Sequence, residues 1–493
     1  MATAATPTAR PTDGIDPRGM RVIWLLLIAA FVAILNETTM GIAIPHLNVD
    51  LGIPPSLGQW LTSAFMLTMA VVIPITGFLL QRFTTRGVFL TAASLFCAGT
   101  LVCLVAPGFA VLLVGRVVQA SGTAIMMPLL MTTVMNVIPT HSRGRIMGRA
   151  GIVMALAPAV GPTLSGLILD SLSWRWLFGL ILPIAVFALL IGAKWMLNLG
   201  EPEPKHIDVL SIVLSAIGFG GLVFGLSQLG GEHQAEAALS VGTIAVITCA
   251  AVVSLGVFVW RQLLLQRRDA ALLDLRVFRS VNFTVAVAVM SVLALSMFGG
   301  LTLLPLYLQN VLGLTATEAG LVVLPGSVLM GVMGPIIGRV YDARGPRPLL
   351  IPGTVLVAAA LWFYSTVGQT TPVWLLVAIQ TGMSFGLAMS FTPLFSSSLG
   401  SLRPRLYSHG SAVLNTLQQV AGAAGVSLLI TTMSSVAGGQ PAGLGEAAAQ
   451  AAGVHTAFLT AAVISLVAVA GAFFVRRPPA DDASAADAPA PAH

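Results

Sequence analysis

The chain has 493 residues, 56% of them hydrophobic and only 9% charged, and its mean hydropathy is +0.93. One soluble core of ordinary composition cannot absorb that much apolar sequence, so a soluble enzyme or binding domain is excluded. The net charge of +6 does not point to nucleic acid either, because the basic residues stand in short loops rather than on one face of a domain.

Apolar runs of about 18 to 25 residues recur along nearly the whole length, each long enough to cross a hydrocarbon layer of roughly 30 Å as a helix. Backbone groups in lipid must be satisfied within the segment, and runs this continuous do so as helices. The expected class is an all-α polytopic membrane protein with fourteen spans, starting near residues 21, 58, 88, 110, 145, 176, 209, 238, 281, 317, 348, 373, 408 and 454. The first run is too long for a signal-peptide core and reads as a retained span. An even count puts both ends on one side. If that side is the cytoplasm, the inner segments hold 22 of the 24 Lys and Arg residues, as the positive-inside rule requires.

Further along, "GFLLQRFTTR" (Gly77 to Arg86) is echoed by "GRVYDARGPR" (Gly338 to Arg347), 261 residues later. That spacing fits six spans plus two, so the chain reads as a duplication with an inserted pair. The expected units are a disordered polar tail (1–20), a six-helix bundle (21–200), two additional spans with cytoplasmic linkers (201–275), a second six-helix bundle (276–477) and a disordered tail rich in Ala, Pro and Asp (478–493). Parallel repeats with a path between them are a transporter architecture.

Two ionisable residues lie far from span ends, Glu37 and Arg116. A charge deep in the bilayer costs roughly 2.5 to 3.5 kcal/mol on insertion scales, so such residues face a cavity or pair with one another. Two readings fit: a static ion pair that locks two helices, or a proton site in which Glu37 gains and loses a proton while Arg116 stays charged. The stretch "GIVMALAPAVGPTLSGLI" crowds Gly151, Pro158, Gly161, Pro162 and Gly166 into one span, which makes it either a packing face or a hinge. Cys97, Cys103 and Cys249 lie in apolar runs, and His46, His141, His206 and His409 lack ligand spacing, so no metal site is expected. With no G-x-x-x-x-G-K-[ST] loop, no nucleotide is implied. The expected protein has no cofactor and no catalytic residue, and an ion gradient drives it.

In order and spacing, "LNETTMGIAIP", "GFLLQRFTTRGVFL", "GRVVQASG" and "APAVGPTLSG" resemble the motifs of the major facilitator superfamily, specifically its fourteen-helix drug:proton antiporters of the EmrB/QacA type, and most of all the lincomycin-resistance branch. The resemblance runs from Arg21 to about Arg477. It implies two six-helix bundles plus two extra transmembrane helices, and proton-coupled export of amphipathic drugs or antibiotics, lincosamides included, by alternating access. An exporter of an endogenous lipid, peptide or metabolite fits the same features. The implied partners are amphipathic small molecules, protons and membrane lipids, with the protein a monomer in the bacterial inner membrane.

The family's first-helix motif, L-D-x-T-I-V-N-V-A-L-P, has its acid where this chain has Asn36; here the acid is Glu37, turned about 100° around the helix. Arg116 and Gln119 match R-x-x-Q-G, with Ala120 at the Gly place, and the resemblance implies that Arg116 works in proton transfer, beside Glu37 as the proton-site acid read from the residues. Gly161 and Pro162 match G-P-x-x-G-G, with Ser165 replacing one Gly and Gly166 kept, which implies an export hinge that includes Pro158. In the gating motif G-x-L-x-D-R-x-G-R, Gly77, Leu79 and Arg82 fit, but Gln81 and Thr84 replace its Asp and Gly. In the second copy Gly338, Asp342, Arg344, Gly345 and Arg347 fit. Asp342 is the expected gating acid, pairing with loop arginines in one conformation. Substrate is expected between the halves near midplane. Asn36, Thr38, Trp60, Phe65, Gln119, Met126 and Met127 would line it from one half. Phe298, Tyr307, Phe385, Met389, Asn415 and Gln418 would line it from the other, packing or lipid contact being the alternative for each.

Overall fold

The computed structural model describes residues 17–198, 208–230, 241–441 and 445–478. The expected tails before residue 17 and after 478, and the stretch 201–207, lie outside the described residues. The chain is helical, with no strand among the described residues. The first half comprises α1 (Pro17–Asp50), α2 (Pro55–Arg82), α3 (Thr85–Leu104), α4 (Phe109–Val137), α5 (Arg143–Ser171) and α6 (Arg175–Trp195). Between the halves, α7 (Val209–Ser215) runs through a π turn, Ala216–Gly220, into α8 (Gly221–Gly230) as one span, and α9 (Val241–Leu265) is its neighbour. The second half comprises α10 (Val281–Asn310), α11 (Ala316–Arg344), α12 (Arg347–Tyr364), α13 (Val373–Gly400), α14 (Tyr407–Gly438) and α15 (Glu446–Ala472).

Thirteen spans among the described residues are long and apolar enough to cross a membrane. The fourteenth long helix, α5, has 29 residues and so reaches about 43 Å; arginines and small residues dilute its apolar character. Helix starts follow local chemistry. Thr84 accepts from the Gly87 N–H at the head of α3, and Thr315 and Glu318 form a capping box on α11. The one displaced start is α15, which begins at Glu446 rather than near 454, because "EAAAQAAG" is weakly apolar yet built from the strongest helix former.

The halves repeat one another in space. In each, the first helix packs on the fourth, fifth and sixth, the second on the fourth, and the third on the fourth and sixth. Equivalent arginines close equivalent corners: Arg86 donates to the Ala193 carbonyl at the end of α6, and Arg347 Nε to the Val475 carbonyl after α15 at 3.4 Å. Between halves, α2 packs on α14 and α5 on α11.

Both seams are tight at the arginine-rich face. On one, Gly144 and Gly148 of α5 meet Gly338 and Gly334 of α11 backbone to backbone, and a methyl group on Gly148 or Gly334 would overlap the other's carbonyl. Both pairs are spaced as G-x-x-x-G, which lets helices in lipid approach this closely. Asp342, the expected gating acid, accepts from the Gly144 and Arg145 N–H groups at 2.7 and 2.9 Å, so its carboxylate caps the positive end of α5 and forms no ion pair among the described residues. On the other seam Gly77 closes on His409 and Ala412, and Thr132 and Ser411 hydrogen bond at 2.8 Å. Toward the opposite ends the seam helices lean on their own halves. Gly161 meets Thr38, Gly326 meets Ser384, Gly58 meets Asn48, and Gly166 and Gly320 meet nothing within 4 Å.

The inserted pair stands beside the α2–α14 seam, with α8 against both helices. Gly218, Gly221 and Gly225 take in Leu255, Ala251 and Thr248 of α9. Asp208 binds Arg261 through two hydrogen bonds of 2.8 and 2.9 Å, and these hold the Asp208 carboxyl below the usual carboxylate range.

Leu at position 148 is predicted to hold the arginine-rich face apart. Overpacking costs about 1 to 3 kcal/mol, or roughly a 5- to 150-fold shift of the closed-to-open ratio. A cysteine at Thr132, buried here and facing Ser411, should react with a water-soluble maleimide in Gly148→Leu and stay protected in the parent; equal protection in both would refute the seam's role in closure.

Candidate functional site

Arg116 sits seven residues into α4, about 10 Å from the end farther from the arginine-rich face. Its side chain is entirely enclosed. Nη1 donates to Asn36 Oδ1 at 2.9 Å and to Gln119 Oε1 at 2.7 Å, and Nε to the Leu61 carbonyl at 3.5 Å. The guanidinium lies over the Phe65 ring at 4.1 Å, a contact that strengthens when desolvated. Gln119 Nε2 then donates to Thr100 Oγ1 at 2.7 Å. Gly99 allows this by letting α3 press against the Gln119 backbone. Groups from α1, α2, α3 and α4 thus share one buried charge.

Two buried donors in this network have no hydrogen-bond partner among the described residues, Arg116 Nη2 and Asn36 Nδ2. Glu37 is half-buried beside them and acts on Arg116 only through space. The expected Glu37–Arg116 ion pair is therefore not formed in this structure. A one-residue step along α1 points Asn36 at the guanidinium and swings Glu37 aside.

The turn carrying Glu37 also touches α5. A side chain on Gly161 would overlap the Thr38 hydroxyl, Thr38 Oγ1 reaches the Ala157 carbonyl at 3.5 Å, and Ser165 Oγ donates to the Thr39 carbonyl at 3.0 Å. Pro158 is half-buried and Gly166 has open space; the Pro162 side chain lies outside the described residues.

The residues expected to line a substrate path divide. Asn36, Phe65 and Gln119 build the arginine network, and Thr38 packs on α5. Trp60 stacks on Phe224 of α8 at 5.8 Å between ring centres, so it faces the inserted pair. Tyr307 is buried and donates to the Gly368 carbonyl at 2.6 Å, fixing the loop after α12. Met126 belongs to the apolar core, with Met127 packed against it, and Met389 packs beside Ile337 and Tyr341. Phe298 lies against Gly422, and Phe385 is half-buried. Asn415 is buried and donates to the Ser411 carbonyl at 2.8 Å, with Gln418 buried one turn on. Among the gating residues, Gly77, Gly338 and Asp342 lie at the seams. Arg82 instead lies over the Phe83 ring of its own half, Arg347 binds its own half, and Arg344 is exposed. Sequence reasoning missed Gly144, Gly148 and Gly334, although their four-residue spacing was a usable signal.

Two six-helix halves, repeated in sequence and in space, closed on each other at one face, the first enclosing a buried charge network toward the other face, define a membrane transporter. The chain belongs to the Major Facilitator Superfamily, whose family model matches residues 26–426. It is 40% identical over 475 residues to the lincomycin resistance protein LmrB of Listeria monocytogenes, covering 94% of this chain and 98% of the relative. To LmrB of Bacillus subtilis it is 38% identical over 470 residues, covering 93% and 96%. A multidrug resistance protein B homolog of Mycobacterium tuberculosis shares 28% identity over 86% of this chain and 79% of its own length. These relatives bear out the resemblance to the lincomycin-resistance branch. In fold the chain is similar to the proton:xylose symporter XylE, with TM-score 0.64 at 14% identity over 94% of this chain and 97% of that one. The human organic anion transporter MFSD10 gives a TM-score of 0.63 at 16% identity over 93% and 100%.

Removing the Asn36 carbonyl leaves Arg116 Nη1 with Gln119 alone, a loss of about 1 to 3 kcal/mol for a charged buried donor. Asn36→Ala is accordingly expected to lower the thermal midpoint in detergent, whereas Asn36→Asp, which restores an acceptor and adds a countercharge, should not. An unchanged midpoint in Asn36→Ala would show that the network carries no such load.

Proposed function

We propose that this protein exports amphipathic drugs or antibiotics, lincosamides among them, in exchange for protons moving inward. In this reading it acts as a monomer in a bacterial inner membrane, with the arginine-rich face and both chain ends in the cytoplasm, and needs no nucleotide or metal. The observation that carries the reading is Arg116 Nη2, a buried charged donor without a hydrogen-bond partner among the described residues, on a guanidinium held by Asn36, the α1 residue next to the half-buried acid Glu37. The names of the LmrB relatives support the cargo class.

In the present arrangement the cytoplasmic face is closed and the halves part toward the outside. Glu37 takes a proton there, which lets it stand apart from Arg116. As the cytoplasmic seam loosens the proton leaves to that side, the carboxylate is drawn to Nη2 and α1 shifts. That shift reaches α5 through the Thr38–Gly161 and Thr39–Ser165 contacts, and α5 carries at its other end the backbone groups that Asp342 holds. Proton release and loosening of the cytoplasmic seam are thereby one movement. Each inward proton contributes about 2.3 kcal/mol per 100 mV of membrane potential.

Glu37→Gln should reduce lincomycin transport driven by a pH gradient in everted vesicles at least about tenfold, the loss expected when a step's driving charge is removed, with the protein still folded in the membrane. Gradient-driven transport undiminished by this change would sink the proton role.

A further inference from the structure

The two seams at the arginine-rich face are locked unequally. On the α5–α11 seam, the Asp342 carboxylate holds the head of α5. The repeat places Gln81 of α2 at the position of Asp342, and Gln81 Nε2 donates to the Arg405 carbonyl just before α14 at 2.9 Å. A carboxamide brings no charge, so α2 lacks the acid its counterpart has.

A carboxylate reaches this seam from outside both halves, on the linker that follows α9. Asp274, 4% exposed, caps the short turn Leu275–Arg279. Both its oxygens accept from Arg276 Nε at 2.9 Å, and Arg276 also grips Asp269. With Gln81 and Arg405 this cluster lines a polar cavity of about 180 Å³, whose wall Ala271, Leu406 and His409 complete. Two carboxylates thus share one guanidinium here, and Arg405 brings a second positive charge to the same cavity. His409, 2% exposed, lies in the first turn of α14, and its backbone is the surface on which Gly77 closes. Asp274 and His409 interact electrostatically across the cavity; burial works against the Asp274 carboxylate, but Arg276 and His409 together hold it below the usual carboxylate range.

The linker is itself anchored to the inserted pair. Gln262 of α9, fully enclosed, accepts from the Leu273 N–H at 3.2 Å and donates to Ser211 Oγ at 2.7 Å, and Ser211 donates to Asp208. A continuous set of bonds therefore runs from the inserted pair to Asp274.

We propose that Asp274 and His409 form the lock of the α2–α14 seam, the linker supplying the acid that α2 lacks, and that the lock is proton-sensitive: His409 with its proton holds this face closed, and its loss of the proton loosens it. The charged groups facing His409 are Asp269, Asp274 and Arg276 from the linker and Arg405 from the start of α14, while α2 contributes the neutral Gln81. Histidine is the one side chain whose ordinary titration falls near neutral pH, and Asp274 is the buried carboxylate with which His409 interacts across the cavity. Rising pH on this face would then favour opening toward it. In this role the inserted pair holds a gate component. The inference rests on the two-half reading of gating but not on cargo or proton coupling.

The test is a distance measurement on the full chain in lipid nanodiscs. Nitroxides are placed at Phe83 and Arg403, exposed ends on either side of this seam, in a Cys249→Ser background with the buried Cys97 and Cys103 retained. Between about pH 5.5 and 8.5, either side of the histidine range, the separated population should rise about fivefold, the lower end of typical coupling, and should do so equally in Glu37→Gln. His409→Gln and Asp274→Asn should each flatten that rise, and Asp342→Asn should raise the separated population at every pH without flattening it. A pH response that persists in Asp274→Asn, a variant on the linker that leaves the α2–α14 packing intact, would overturn the proposal, as would a parent that shows no response.

Discussion

A guanidinium cannot shed its proton at any accessible pH, so burying Arg116 inside a membrane protein obliges the chain to build around a permanent charge. Every neighbouring choice follows from that. Asn36 and Gln119 turn their carbonyls to it, Phe65 offers its ring face, and Thr100 steadies Gln119 from α3. Four helices are tied to one side chain, yet one donor nitrogen is left over. That leftover donor leaves the network incomplete, with the half-buried carboxyl of Glu37 on the residue next to Asn36.

The closed face obeys a different constraint. Glycines bring α5 and α11 into backbone contact, where dispersion is strong but short-ranged, so the seam is either fully made or lost. Asp342 adds a charge at the head of α5 that is satisfied only when the seam is made. A contact of this kind favours two discrete arrangements over a continuum. Between the arginine network and this seam lies one helix, α5, gripped at Gly161 and Ser165 by the turn of α1 that bears Glu37.

The fold was largely legible in the chain because apolar length and loop charge are local properties. Thirteen helix starts fall within a few residues of the hydropathy reading, and the exception, α15, begins in alanine-rich sequence that hydropathy undervalues. The repeat was also visible, and Arg86 and Arg347 at equivalent corners bear it out. Side-chain partners were harder to see, since they depend on rotation about each helix and on contacts between residues 61 to 198 apart in the chain. Glu37 and Arg116 were rightly singled out as the deep charges, but a 100° turn gives the guanidinium to Asn36 instead. Asp342 was expected to meet loop arginines and meets backbone N–H groups instead, which leave no trace in sequence. Trp60 and Tyr307 are aromatic in the manner of binding residues, yet one faces the inserted pair and the other secures a loop.

The most direct test of the account is proton release on binding. Purified protein in weakly buffered detergent solution, held near neutral pH and titrated with lincomycin, should release protons, and the signal should vanish in Glu37→Gln while lincomycin still binds. Proton release of the same size in Glu37→Gln would contradict the central claim that Glu37, poised beside the free arm of Arg116, carries the coupled proton.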